Sequence, residues 1–335
     1  MKRKLRLLVT SSEICEGAWR GQERKLKQLY ELSDKRYDLV DQPQVADIIL
    51  IGLGDLRESD WTKKFLRNEI LNKYPNKCFS LSNQYAPMIL NRGVYISGNK
   101  SFLNLGRVRT GSYTLYPEQY SNPFIKNHSF SEENYCSKRY LLSFIGRNSH
   151  KIRRDIFSLK FERSDILIED SSNFKLWQKE QNKLEKQKQF YEVLLSSKFS
   201  LCPRGSASNS IRLFESLELG VAPVIIADQW IFPTGVQWNK FSIIIKEKDV
   251  HQLEKIVQTY ESSYEEMGYL ARKAFEENFS DHSYFNYIVE KCLEIKKEQL
   301  LPELFYWRFN PLFINFSNMR KQIGLKSKIQ RIFHL

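Results

Sequence analysis

Short apolar runs alternate with stretches of helical spacing along most of this 335-residue chain. A run that is apolar on both faces of a strand is typical of a parallel sheet that helices cover. In the first part of the chain, the predicted strands are Leu5–Val9, Ala46–Ile51 and Cys78–Ser82, and the predicted helices are Gly21–Leu32 and Trp61–Tyr74. The pattern therefore predicts an α/β domain over residues 1–135.

A second alternating series begins at Tyr140, after a segment from Asn91 to Cys136 that is rich in Gly, Asn, Pro, Ser and Tyr and is predicted to be a loop-rich crossing. The predicted strands are Leu141–Ile145, Ile166–Ile168, Phe199–Cys202 and Phe241–Ile245. The predicted helices are Lys151–Leu159, Leu176–Ser197, Ser210–Leu219 and those between Val250 and Glu298. This series predicts a second α/β domain over residues 136–300, followed by a basic aromatic tail over 301–335.

The chain carries a formal net charge of +13, which favours an anionic partner: nucleic acid, an anionic membrane or a nucleotide-linked substrate. Its five cysteines show no CxxC pair, so neither a zinc ribbon nor a disulfide framework is indicated. The basic N-terminal segment is followed by too short an apolar run for a signal peptide, and no run reaches the ~18–20 residues that span a bilayer. We therefore expect a cytoplasmic protein, soluble or peripheral on the inner face of the membrane.

The tail combines the aromatic segment Phe305–Phe309 with positive charge and has no acidic residue after Glu303. Beyond this segment, its positive charge comes from Arg320, Lys321, Lys326, Lys328 and Arg331. One interpretation is a basic amphipathic element that contacts an anionic membrane. The alternative is a helix that packs back across the two domains.

The segment from Lys198 to Asp228 contains a strand, a small-residue loop, a helix start and a second strand. Ser208, Asn209 and Ser210 are suitable N-cap residues, and Gly220 is a natural residue to follow the helix end. A helix N-terminus behind a loop of small residues is suited to binding a phosphate. Arg204, beside Gly205 in this loop, has a planar guanidinium that can donate two hydrogen bonds to one phosphate. Arg147 occupies the analogous position after the earlier strand Leu141–Ile145. Either arginine could instead be an ordinary surface residue of a turn.

Arg212 and Glu215 lie three residues apart on the predicted helix, away from its apolar side. Such a pair is commonly a surface ion pair. In a phosphate site, Arg212 would bind the phosphate and Glu215 would accept hydrogen bonds from sugar hydroxyls. The spacing leaves both interpretations open.

The segment Phe199–Ser242 resembles the exostosin family of glycosyltransferases, and Leu142–Arg147 is similar to that family's usual opening of the same domain. The similar motifs are Leu-Cys-Pro-Arg-Gly (201–205), Ile-Arg-Leu-Phe-Glu-Ser-Leu (211–217), Gly-Val-Ala-Pro-Val-Ile-Ile (220–226), Asp-Gln-Trp (228–230) and Trp-Asn-Lys-Phe-Ser (238–242). The resemblance implies a GT-B architecture, in which two Rossmann-like domains face each other across a cleft and the C-terminal one holds a nucleotide-sugar donor. It also implies inversion at the anomeric carbon. Ser206-Ala207 stand where the family usually has an aromatic residue and a glycine.

The resulting donor-site prediction comprises Arg147, Arg204, Gly205, Ser208, Asn209, Ser210, Arg212 and Glu215. We expect no metal and no cofactor, because the chain has no Asp-x-Asp motif and its histidines lack metal-ligand spacing. The acceptor hydroxyl needs a base. Glu13 and Asp55 follow the first two strands and are candidate bases, although each could equally be a solvated loop carboxylate.

The sequence therefore predicts an inverting, metal-independent glycosyltransferase that moves a sugar, with UDP as the expected carrier, to a glycan acceptor in polysaccharide biosynthesis. One alternative is a non-catalytic protein of the same fold that binds a nucleotide or sugar. A basic nucleic-acid-binding protein is the other, but the chain shows no helix-turn-helix, zinc-finger or RNA-binding motif, so no nucleic-acid partner is expected.

Overall fold

The computed structural model describes residues 3–11, 22–53, 67–82, 91–100, 106–115, 120–129, 138–173 and 182–309. Within these ranges the chain forms two sheets, and every strand pair in both of them is parallel. Helices pack on both sheets. The predicted α/β class, with two parallel sheets, is confirmed.

The first sheet has the strand order β2-β1-β3-β4-β5-β6 across the described residues. Its strands are Arg6–Ser11 (β1), Asp38–Leu39 (β2), Ile48–Leu53 (β3), Cys78–Ser82 (β4), Gly93–Tyr95 (β5) and Val108–Thr110 (β6). The β3 strand is fully buried along its whole length, as expected of a strand that is covered on both faces.

The second sheet has the order β11-β10-β9-β7-β8 in the described part of the chain. Its strands are Tyr140–Gly146 (β7), Ile166–Asp170 (β8), Ser197–Pro203 (β9), Ala222–Ile226 (β10) and Ile243–Ile244 (β11). The carboxyl ends of β7, β8 and β9 therefore lie side by side at one edge, where ligands bind in open parallel sheets.

The helices that accompany these sheets agree with the predicted alternation. They are Gln22–Leu32 (α1), Glu69–Lys73 (α2), Pro123–Lys126 (α3), Lys151–Phe157 (α4), Lys183–Leu195 (α5), Ile211–Glu218 (α6), Leu253–Thr259 (α7), Tyr264–Asn278 (α8), Tyr284–Glu298 (α9) and Glu303–Arg308 (α10). As predicted, Gly220 follows α6 in the left-handed conformation, with φ 65°. Within the described part of the predicted Trp61–Tyr74 helix, α2 begins only at Glu69, because the Asn68 side chain accepts a hydrogen bond from the Leu71 amide and caps the helix there.

The segment predicted to be a loop-rich crossing, Asn91–Cys136, instead extends the first sheet by β5 and β6. Each strand has only three residues, too few to show an alternating pattern. Gly93 allows β5 to approach β4, because a Cβ atom there would lie 1.8 Å from the carbonyl oxygen of Ser80. From sequence alone, a strand glycine that permits close backbone contact cannot be distinguished from a glycine that belongs to a loop.

The two sheets share one apolar core. Leu7, Val9 and Phe79 from the first sheet belong to the same buried cluster as Phe214 and Trp238 from the second half. In addition, Asn99 forms an isolated antiparallel bridge with Trp230. The two halves are therefore joined by packed side chains as well as by backbone hydrogen bonds.

The last two described helices return to the first sheet. The α9 helix packs on β5 and β6, and α10 packs beside the turn at residues 75–77. Glu303, fully buried in α10, pairs with Arg107 next to β6 at 2.5 Å. Residues 310–335 of the predicted tail lie outside the described residues, and the three-part domain division remains a prediction. No helix in the described ranges is long and apolar enough to cross a membrane.

Candidate functional site

A cavity of about 510 Å³ lies at the carboxyl ends of β7, β8 and β9. Loops that follow these strands contribute Arg147 and Ser149, Ser171 and Asn173, and Gly205 and Ser206. Further lining comes from the first half of the chain (Tyr113, Tyr120 and Asn122), from α4 (Arg153), from α5 (Gln187 and Phe190) and from α6 with its entrance (Asn209, Ser210, Arg212 and Glu215). The predicted motif therefore forms one wall of a half-open cavity.

Arg212 is 9% exposed and turns from α6 toward the carboxyl end of β7. Its guanidinium donates a hydrogen bond to the carbonyl oxygen of Ile145 and lies 4.6 Å from the ring centre of Phe144. Burial lowers its pKa, because the charged form has lost most of its water. The Nε atom is buried and has no hydrogen-bond partner. Arg212 is therefore a buried cation with unused donor capacity at the cavity wall.

Gly146 makes the position of Arg212 possible. A Cβ atom on Gly146 would lie 2.6 Å from Cζ of Phe144 and 3.1 Å from Nη2 of Arg212. The glycine in the Ile-Gly-Arg motif therefore leaves room for a ring and a guanidinium of the protein itself.

Arg153, on α4, is a site residue that the sequence analysis missed. It is 8% exposed and donates three hydrogen bonds of 3.0 Å to backbone carbonyls: from Nε to Arg204, from Nη1 to Arg147 and from Nη2 to Pro203. Arg153 thus ties the loop after β7 to the loop after β9. Burial, reinforced by the charge of Arg212, lowers its pKa to about 9.

Gly205 stands against this arginine. A Cβ atom on Gly205 would lie 3.0 Å from Oγ of Ser149 and 3.1 Å from Nη2 of Arg153. The small residue expected to admit a ligand also admits Arg153. Only the spacing of the Lys-Ile-Arg-Arg segment could have indicated Arg153, and that spacing does not say which arginine of the helix turns inward.

Glu215 lies one turn along α6 from Arg212 and also faces the cavity. Burial raises its pKa to about 7, against the opposing effect of Arg212. The described contacts include no ion pair between Arg212 and Glu215, and Arg212 is buried. The surface-ion-pair interpretation is therefore wrong, and the pair instead presents a cation and a titratable carboxyl to the same space.

Ser210 and Asn209, at the N-terminus of α6, differ in their contacts. Ser210 is the N-cap residue of α6, but its hydroxyl does not cap the helix, and the residue lines the cavity. Asn209 also reaches the cavity, although its Oδ1 accepts a hydrogen bond from the Tyr113 hydroxyl at 2.9 Å and its Nδ2 donates to the Ile96 carbonyl at 2.7 Å. Asn209 thus connects the motif to the first half of the chain.

Two predicted donor-site residues do not line the cavity. Ser208 is buried, and its hydroxyl lies 2.8 Å from that of Ser97 and donates to the Gly98 carbonyl at 2.9 Å. Arg204 is partly buried, and its charge contributes to the lowered pKa of His150, after the larger effect of burial. Arg147, in contrast, is exposed at the cavity rim.

Both candidate bases, Glu13 and Asp55, lie outside the described residues. Among those described, no three or more His, Cys, Asp or Glu side chains gather in a way that could hold a metal ion. Carboxylates in the described cavity lining come from Glu169, Asp170 and Glu215. The lining therefore carries charges of both signs, with the two buried guanidinium groups and Glu215 contributed by α4 and α6.

Comparison with known proteins places this cavity in a family domain. The sequence model of the Exostosin GT47 domain matches residues 119–260. Exostosin-1 of Drosophila melanogaster is 22% identical over 265 residues, which cover 70% of this chain and 35% of that protein. A probable glucuronoxylan glucuronosyltransferase of Arabidopsis thaliana is 46% identical over 67 residues, or 19% of this chain and 14% of that protein. The chain spans about a third or less of the length of these relatives.

Solved structures that match this chain do so with low TM-scores and low sequence identity. An alpha-glucosyltransferase in complex with UDP and a 13-mer DNA containing a central A:G mismatch has a TM-score of 0.45 and 9% identity, covering 88% of this chain and 100% of that one. A glycosyltransferase from Rickettsia africae ESF-5 has a TM-score of 0.42 and 10% identity, covering 89% and 99%.

The matched residues include most of the cavity lining, from Tyr120 and Asn122 through β7, β9 and α6, whereas Tyr113 lies before them. The relatives that match here are named for glycosyltransferases. The predicted resemblance is therefore confirmed: residues 119–260 of this chain match the sequence model of the Exostosin GT47 domain, which they share with proteins named as glycosyltransferases.

Proposed function

We propose that this protein is an inverting, metal-independent glycosyltransferase that uses a UDP-linked sugar as donor and a glycan as acceptor in polysaccharide biosynthesis. One observation carries the proposal: the buried guanidinium groups of Arg153 and Arg212 meet at one cavity and have no carboxylate partner among the described residues. A buried unpaired cation is costly unless an anion compensates it. A diphosphate supplies that anion.

The arrangement suits the chemistry of glycosyl transfer. The acceptor oxygen attacks the anomeric carbon as the bond from that carbon to the diphosphate breaks, so that the configuration inverts and negative charge develops on the departing diphosphate. Fixed positive groups in an enclosed site stabilise such charge without reorganising during the reaction. Arg212 has an unused buried Nε–H, and the first amides of α6 provide further donors behind the small-residue loop.

The remaining roles follow from position. Glu215 accepts hydrogen bonds from hydroxyl groups of the donor, and Phe190, 5.3 Å from the Arg212 guanidinium, bounds the same part of the cavity. The hydroxyl proton of the acceptor passes to a base, for which Glu13 and Asp55 remain the candidates. A cytoplasmic site of action, before export of the polysaccharide, also remains a prediction.

Calorimetric titration with UDP, GDP and their sugars tests the proposal. We expect a UDP-sugar to bind, and Arg212→Gln to weaken that binding by roughly 10- to 100-fold, since a hydrogen bond to a charged group contributes about 1.5–3 kcal/mol. Arg154→Gln is the matched control, because Arg154 is the exposed neighbour of Arg153 on α4. If none of these nucleotides or nucleotide sugars binds, the proposal is overturned.

A second measurement addresses the non-catalytic alternative, which Ser206-Ala207 support because they depart from the family pattern. Chromatographic detection of released UDP, with and without glycan acceptors, distinguishes transfer from binding. Nucleotide binding with no donor cleavage under any acceptor would favour the non-catalytic protein.

A further inference from the structure

Two aromatic rings lie beside the buried guanidinium of Arg212. Its Cζ atom is 4.6 Å from the ring centre of Phe144 and 5.3 Å from that of Phe190. Both distances are within the ~6 Å over which a cation is attracted to the face of a ring. The guanidinium also donates to the carbonyl of Ile145, and within the described part of the chain no carboxylate pairs with it.

The chemistry of these partners decides what the cation can still bind. A carboxylate beside the guanidinium would offset its charge and take up the N–H groups that a diphosphate needs. A ring face attracts the cation but leaves the N–H groups at the edge of the guanidinium plane available. The buried Nε–H of Arg212, which has no hydrogen-bond partner, is such a group.

The two rings differ in their surroundings. Phe144 lies in β7, is 1% exposed and belongs to the apolar core, and its ring is also 5.4 Å from Cζ of Arg153. A change at Phe144 would therefore disturb the core and both buried arginines. Phe190 lies on α5, is partly buried and lines the cavity beside Arg212. It is the ring whose removal tests the contact with Arg212.

The position of Phe190 is fixed by contacts that do not involve Arg212. One turn earlier on α5, the carbonyl of Gln187 accepts a hydrogen bond from Nδ2 of Asn122 at 2.8 Å. The Nε2 atom of Gln187 donates in turn to the carbonyl of Ser121 at 3.1 Å. The Phe190 side chain also packs against an apolar cluster between α3, α5 and the end of α6. The ring is therefore in place before a ligand arrives.

We propose that Phe190 is a positioning residue for the anion site: its ring keeps the Arg212 guanidinium charged and oriented for the diphosphate of the donor. The identity of the anion rests on the proposed function, whereas the contact between ring and cation does not. Phe190 acts through Arg212 and forms no bond to the ligand. A cation that is oriented in advance binds an anion without the cost of reorganisation.

Calorimetric titration of the full chain with UDP, and separately with inorganic pyrophosphate, tests this role. Phe190→Leu keeps an apolar side chain against the cluster but removes the ring, and it should weaken binding of both ligands roughly 5- to 30-fold. Phe190→Tyr keeps the ring face and should bind both ligands as the wild type does. Phe190→Met serves as the second ring-deleting variant if Phe190→Leu does not fold.

A double-mutant cycle with Arg212→Gln separates positioning from direct contact. If the ring acts through the guanidinium, Phe190→Leu should weaken binding no further once Arg212 has been replaced. A ring that stacks on the base or the sugar would give the same loss of UDP affinity with and without Arg212, and pyrophosphate binding would not change. That result would overturn the positioning role.

Tyr191→Leu is the matched control. Tyr191 follows Phe190 on α5, is partly buried and has its hydroxyl 2.8 Å from Nδ1 of His128, but it does not belong to the described cavity lining. Its removal should lower the melting temperature measured by circular dichroism and leave the affinity for both ligands unchanged. Unchanged affinity in Phe190→Leu, or an equal loss of affinity in Tyr191→Leu, overturns the positioning role.

The two ligands also separate this inference from the proposed function. If UDP-sugar binding depends on Arg212 but not on Phe190, the positioning role alone is overturned. If pyrophosphate binding depends on both residues in the way described, while no nucleotide or nucleotide sugar binds, the positioning role is supported and the transferase proposal falls.

Discussion

The guanidinium of Arg212 reaches the end of β7 only because residue 146 is a glycine. A Cβ atom on Gly146 would stand 3.1 Å from Nη2 of Arg212 and 2.6 Å from Cζ of Phe144. Two motifs that lie far apart in the sequence therefore depend on each other. The glycine belongs to the strand end, and the arginine belongs to the helix whose N-terminus faces the cavity.

Gly146→Ala should therefore affect both stability and ligand binding. We expect a loss of about 1–3 kcal/mol in the free energy of unfolding, because the added methyl overpacks a filled site. Displacement of the Arg212 guanidinium should weaken binding of a UDP-sugar as well. Urea denaturation and calorimetry measure the two effects. The double variant Phe144→Leu, Gly146→Ala should recover part of the stability; no recovery would mean that the ring is not what the methyl meets.

Arg153→Lys tests whether the fork of Arg153 holds the two loops together. Lysine keeps the charge, but a single ammonium cannot donate to the carbonyls of Arg147, Pro203 and Arg204 in the geometry that the guanidinium provides. We expect a loss of roughly 2 kcal/mol in the free energy of unfolding from the carbonyls left without donors. Arg154→Lys, on the exposed side of the same helix, should change stability by less than about 0.5 kcal/mol. Equal effects of the two changes would contradict the assignment.

Glu215 should make stability depend on pH near neutrality. Its folded-state pKa is about 7, above the ordinary value of 4.5, so between these two pH values the folded protein holds a proton that the unfolded chain has lost. The free energy of unfolding should therefore fall as pH rises from 4.5 to 7, and this contribution should be absent in Glu215→Gln.

Urea denaturation at several pH values across this window measures the effect as the difference between the wild type and the variant. Glu192→Gln provides the control, because Glu192 is an exposed carboxylate, with a side chain 59% exposed. A difference between wild type and Glu215→Gln that does not change with pH would show that Glu215 is ionised throughout.

The sequence predicted the sheets well where strands were long and apolar. All six residues of β3 are buried, and the predicted strand differs from it by two positions at each end. The three-residue strands β5 and β6 were missed, because hydrogen bonding to a neighbour already in place can hold a strand that has too few residues for a periodic signal. The pairing of short parallel strands depends on neighbours in the assembled sheet and not on the pattern within each strand.

Only part of the candidate site could be predicted, for a similar reason. A helical wheel separated Arg212 and Glu215 from the apolar side of α6, and both residues face the cavity. Ser208 and Asn209 looked like phosphate-binding residues, but their hydrogen bonds go to Ser97, Gly98, Ile96 and Tyr113 of the first half. Arg153 gave no signal, because two of its three backbone partners lie some 50 residues away. Residue type and spacing could not identify partners that only the tertiary fold supplies.

Asn209→Asp tests whether the motif depends on the first half of the chain. The change replaces the Nδ2 donor by an oxygen that would face the Ile96 carbonyl at 2.7 Å, while the bond from the Tyr113 hydroxyl to Oδ1 can persist. A lost donor and a repelled buried carbonyl should lower the free energy of unfolding by about 2–3 kcal/mol. The loop that leads into α6 should shift, and UDP-sugar affinity should fall with it.

Ser206→Ala is the control for this experiment, since Ser206 is exposed in the same loop and lines the same cavity. It should leave the denaturation midpoint within error, whereas Asn209→Asp should lower it. Because Asn209 sits between the two halves, its variant should also expose the 96–98 segment to faster amide hydrogen exchange at Ile96 and Gly98. Unchanged exchange at these amides, together with an unchanged midpoint, would mean that the two sheets are held together without the Asn209 bonds, by the shared apolar core and the remaining Ser208 and backbone hydrogen bonds.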